Sequence, residues 1–127
     1  MKNLKLLKYI SVATILVILI LTVLEFPAPI GFEVRPQDNV SMWWLVLFLT
    51  ILISEIAAIS FLFKKPLWGA RLGVLAGALN IIQIFADQLH LMQPEIAPFG
   101  YLILEDAVGV LSVVLIYFCW SILKENK

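Results

Sequence analysis

The sequence predicts an all-α membrane protein: a single domain of four transmembrane helices in an antiparallel bundle, with both termini on the cytoplasmic side. Three observations predict it. Of 127 residues, 62% are hydrophobic and 14% charged, and the mean hydropathy is +1.01, where a soluble domain carries roughly 45–50% apolar and 25% charged residues. Four apolar stretches, residues 8–25, 42–63, 67–92 and 99–123, each come near the ~20 residues that cross a ~30 Å hydrocarbon core. Eight of the nine Lys and Arg residues fall at the termini and the second connection, leaving Arg35 alone on the other side. The positive-inside rule then sets the orientation N-in and C-in.

The first span follows Lys2, Lys5 and Lys8 and so resembles a secretory signal. Its apolar run is longer than the 7–15 residues of a usual signal core, and Phe26-Pro27-Ala28-Pro29 offers no A-x-A cleavage pattern. It is therefore expected to stay as a helix. The extracytoplasmic loop 26–41 carries Pro27, Pro29, Gly31 and Pro36 among apolar side chains such as Phe32 and Val34. Such a loop is expected to fold against the outer surface, with Ser41 as N-cap of the second span.

Span two opens on Trp43 and Trp44, which suit an outer interface, and carries Glu55. The link Lys64-Lys65-Pro66 is tight and basic, with Pro66 suited to a first helical turn. Span three begins with Gly69, Gly73 and Gly77, a spacing that lets a neighbouring backbone approach closely. Because Gly69 and Gly73 share an arc with the polar residues above them, packing within the monomer is favoured over a dimer face. A short link leads into span four, which holds Glu105, Asp106, Gly109 and Ser112, and, near its inner end, the only cysteine, Cys119. Cys119 is expected to act as a small apolar side chain.

The chemistry is expected along one stripe. Asn80, Gln83, Asp87 and His90 are spaced 3, 4 and 3 apart, which at about 100° per residue keeps them on one helical arc. Polar groups in hydrocarbon are costly, so the stripe must face other helices or water. At ~1.5 Å rise per residue, an upper layer of Asp87, His90, Glu105 and Asp106 lies within about 10 Å of the outer surface, and a lower layer of Glu55, Asn80 and Gln83 lies about 13–18 Å down. Together these seven residues are expected to line an outward-facing polar cavity that binds a small molecule or a proton. Glu55 would be its deepest group, held there as the neutral acid because burial disfavours charge. Interhelical hydrogen bonding is the competing reading of Asn80 and Gln83.

Other chemistries are not expected. Asp87, His90 and Glu105 are ligand types for a metal, but the chain has one His, no HExxH and no thiolate near it. One His also leaves a bis-His haem impossible within one copy. Phosphate-loop, dinucleotide and Ser-His-Asp signatures are missing, so the residues name no cofactor and no catalytic set. Basic residues serve topology, and nucleic-acid binding is not expected.

The stretch Ser54-Glu55-Ile56-Ala57-Ala58-Ile59-Ser60-Phe61-Leu62-Phe63, followed by Pro66-Leu67-Trp68-Gly69-Ala70-Arg71-Leu72-Gly73, resembles the central region of DoxX-like membrane proteins. The resemblance spans about residues 51–82. It implies four spans, an acidic residue in span two matching Glu55, and a redox-associated role, such as an accessory subunit of a membrane redox system. The expected setting is a bacterial or archaeal cell membrane, with the lipid bilayer as surroundings and a membrane-protein partner or a homodimer left open. The alternative to ligand binding is an assembly protein whose intramembrane polar residues join helices or partners.

Overall fold

The computed structural model describes residues 4–25, 42–89 and 99–125, and those residues are helical almost throughout. Four helices follow in order: α1 (Leu4–Leu24), α2 (Met42–Lys64), α3 (Pro66–Gln88) and α4 (Phe99–Glu125). All four are long and apolar enough to cross a membrane. The loop 26–41, with its prolines and Ser41, and the link containing His90 lie outside the described residues.

Two boundaries differ from the expectation by more than two residues. α1 begins at Leu4, four residues before the expected span, so Lys5 belongs to the helix rather than preceding it. α3 ends at Gln88, four residues short of Met92. There the backbone of Leu89 opens to φ −89° and ψ 5° while its N–H still donates to the Phe85 carbonyl at 2.9 Å. A ψ near zero turns the chain out of the helical path of about −42°.

α3 is the hub. It packs along α2 on one side and α4 on the other, and α4 in turn packs on α1, while α1 meets α2 over a shorter line. The contact between α1 and α2 includes Tyr9 and Phe63, whose ring centroids lie 6.2 Å apart. Small residues explain the hub. α3 buries Gly69, Ala70, Gly73, Ala76 and Gly77, a face without bulk on which two neighbours can close. A Cβ on Gly69 would stand 2.7 Å from Leu62 Cα of α2. One on Gly73 would strike Cys119 Sγ of α4, and one on Gly77 would stand 2.7 Å from Ile116 Cγ1 and 3.0 Å from the Ser112 carbonyl. The expectation that these glycines pack the monomer agrees with all three contacts.

The apolar core gathers Val12, Ile15 and Ile18 of α1, Ala58 and Leu62 of α2, Ala70 of α3, and Val108, Leu115, Cys119 and Ile122 of α4. Three buried hydroxyls return to their own helices. Thr14 donates to the Ile10 carbonyl, Thr22 to Ile18 and Ser112 to Val108, at 2.7–2.8 Å. These bonds satisfy polar groups where neither lipid nor core could. Cys119 is buried as expected of a small apolar side chain. Residues 42–50 of α2 contain no buried position, whereas the second half buries Ile51, Ser54, Glu55, Ala58 and Leu62.

Candidate functional site

Glu55 and Asn80 meet at the centre of the bundle. Both stand in the middle third of 23-residue helices, and both are enclosed, with Glu55 0% and Asn80 4% exposed. Asn80 Nδ2 donates to Glu55 Oε1 at 2.8 Å. The glycine seam brings them together: with Gly69 closed on Leu62, the two backbones stay near enough for short polar side chains to meet farther along. Two of the three residues expected in the lower layer are thus bonded across α2 and α3.

The third, Gln83, stands one turn beyond Asn80 and is half-buried. Its Nε2 and the second carboxyl oxygen of Glu55, Oε2, are both buried without a hydrogen-bond partner among the described residues. A donor on α3, about 4.5 Å of axial rise beyond Asn80, and an acceptor on α2 are therefore unspent. Buried polar atoms are paired in the great majority of cases, so such atoms mark a place where a proton, a water or a polar ligand would be held.

The upper layer divides. Gln88 Nε2 donates to Asp106 Oδ1 at 3.1 Å, and both side chains are exposed. That bond sets the level at which α3 meets α4, and their sequence neighbours Asp87 and Glu105 are both buried, each 3% exposed. Neither is without a partner. So Asp87 and Glu105 turn inward at the same level, while Asp106 turns out. Adjacent residues on a helix diverge by about 100°, so one side chain faces the bundle and the other its flank. Gly109 follows Asp106 rather than Glu105. With Ile84, Phe85, Gln88, Val110 and others it lines a groove of about 350 Å³ on the flank between α3 and α4. His90 lies outside the described residues. Among the described residues no three His, Cys, Asp or Glu side chains gather into a set that could hold a metal.

The chain matches no protein-family model, no curated protein and no solved structure. The site must therefore be read from its own geometry.

Sequence reasoning passed over Gln88, the partner of Asp106, because it sits one position off the Asp87 arc. It also read Lys65 and Arg71 only as topology signals. The signal that would have singled out Arg71 is its spacing from Trp68, three residues earlier on the same helical face.

Proposed function

We propose that this protein is a small integral membrane protein that binds a proton or a small polar molecule between α2 and α3, with Glu55 as the binding group. The observation that carries this reading is the enclosed carboxyl of Glu55, one oxygen held by Asn80 and the other unpartnered. Magnitudes favour function over packing alone. An interhelical hydrogen bond in a membrane contributes about 0.6 kcal/mol on average. An acidic residue at a helix centre costs about 2.5–3.5 kcal/mol on insertion scales. One bond to Asn80 does not offset that cost, so Glu55 is better accounted for by what its carboxyl can take up. The neutral acid is the form compatible with such enclosure, and gaining or losing its proton would change the hydrogen-bond roles of both Asn80 and Gln83.

The bundle is read as antiparallel with both termini cytoplasmic. The order of contacts supports this. From Gly69–Leu62 to Asn80–Glu55, α3 advances while α2 retreats, and from Gly77–Ser112 to Gln88–Asp106, α3 advances while α4 retreats. The lysines supply the direction. In that frame a path from the outer face to Glu55 would run along Gln83 from the level of Asp87 and Glu105. The DoxX-like resemblance of residues 51–82 supports a place beside a membrane redox system.

An assembly role is the second reading, favoured by the same Asn80–Glu55 bond and by the glycine seams, which are what helix packing alone would use. Proton uptake separates the two. The full chain in lipid vesicles is given an acid pulse, and Glu55→Gln is expected to take up fewer protons per chain with unchanged helix content. Equal uptake by both proteins, together with a stoichiometric partner crosslinked through α3 in native membranes, would favour assembly instead.

A further inference from the structure

At the opposite end of α3 a different chemistry collects. Between Glu55 and Asp87 the chain contains no acidic residue, yet it holds Lys64, Lys65 and Arg71. The exposed face of α3 runs through Trp68, Arg71, Leu75 and Ile82, opposite the glycines. Arg71 is the one charge on that stripe, five residues beyond Pro66 and so about 7.5 Å along the helix axis. A guanidinium facing hydrocarbon at that level is costly, and its long side chain relieves the cost by reaching back to the interface. The side chain is placed in that way. Its Cζ lies 5.0 Å from the centroid of the Trp68 ring, one turn nearer the start of the helix. Trp68 is itself 55% exposed, as an interfacial aromatic should be. Lys65, Pro66, Leu67, Trp68 and Arg71 together line a pocket of about 340 Å³ at the α2–α3 turn.

We propose that this pocket holds the phosphate of an anionic phospholipid headgroup. A planar guanidinium steadied on an aromatic ring presents a fork of donors that suits phosphate oxygens, and Lys65 adds a compact charge to the same lining. The apolar Leu75 and Ile82 continue the same stripe toward the middle of the bundle, where an acyl chain of that lipid would lie. Retaining a positive charge for topology would require no such arrangement, since exposed lysines at the helix ends already serve it. The lipid is therefore read as a bound component and not as a bulk counter-charge.

The full chain is reconstituted in phosphatidylcholine nanodiscs containing a minor share of phosphatidylglycerol, and the lipids retained per protein are counted by native mass spectrometry. Phosphatidylglycerol is expected in excess over its share. Arg71→Gln should lower that preference roughly fivefold, the equivalent of about 1 kcal/mol per cation near the surface. Lys65→Gln should lower it again, and Lys5→Gln, the same charge lost from α1, should leave it in place. Reconstitution from purified protein removes any effect on insertion, and circular dichroism confirms that each exposed-site variant keeps its helices. An unchanged preference in the Arg71→Gln/Lys65→Gln double variant would overturn the proposal, as would an equal loss in Lys5→Gln. Retention of inorganic phosphate in pure phosphatidylcholine discs to the same extent would overturn the lipid as its source.

Discussion

The middle of the bundle and its Asp87 end use the same kinds of side chain in opposite ways. In the middle, Glu55 and Asn80 are sealed by glycine-backed helices and, among the described residues, bonded only to each other. Toward the end, Asp106 and Gln88 bond across α3 and α4 in the open, beside a groove on the bundle flank. The difference lies in what the neighbouring backbone allows. Where Gly69 lets α2 close on α3, polar groups are enclosed and each unmade hydrogen bond is costly. Where Gly109 only thins the wall of a groove, its added Cβ would meet nothing nearer than Ile84 Cδ1 at 3.5 Å, and water or headgroups can satisfy the same chemistry.

The largest effect should come from the seam itself. Gly69→Val places carbon within the backbone of Leu62, and overpacking of this kind costs about 1–3 kcal/mol or more. A large drop in the unfolding midpoint in detergent is expected, against almost none for Gly109→Ala. Comparable losses at the two glycines would break the contrast. Next in size is Asn80→Leu, which strips Glu55 of its bond to Asn80. A buried acceptor left unmade costs about 1–3 kcal/mol, so denaturant unfolding should show a clear loss. Removing both partners in Glu55→Leu/Asn80→Leu should recover most of it, since replacing a buried polar pair with apolar groups is often neutral or stabilising. If the double variant is as unstable as the sum of the singles, the two side chains are not coupled. The smallest effect belongs to the open layer. Asp106→Asn or Gln88→Ala should change stability by no more than about 0.5 kcal/mol, the usual range of surface substitutions. A loss as large as that of Asn80→Leu would place this pair inside the core.

Much of this contrast could be read from spacing, and some could not. The helices were legible because long apolar runs admit one solution in lipid, with every backbone group bonded within its own segment. The end of α3 was misplaced because Leu89, Leu91 and Met92 are as apolar as the helix before them, and nothing in composition marks a change in ψ. Asn80 and Glu55 were expected in one layer, and depth counting sufficed because both sit mid-helix. The expected upper layer was harder to read. Residues 105 and 106 are adjacent, and the rotation of α4 about its own axis decides which of them faces inward. The lipid pocket was passed over because Arg71 had an adequate account as a topology charge. Its place over the Trp68 ring depends on a rotamer that spacing permits but does not require.

The central claim is that Glu55 carries an enclosed carboxyl able to hold a proton against Asn80. Infrared spectroscopy of the full chain in vesicles tests it most directly, through the carbonyl stretch of a protonated carboxylic acid. At neutral pH such a band is expected in the wild type, absent in Glu55→Gln, shifted in Asn80→Leu, and untouched by Asp106→Asn. A spectrum without that band, or with one that survives Glu55→Gln unchanged, would contradict the claim.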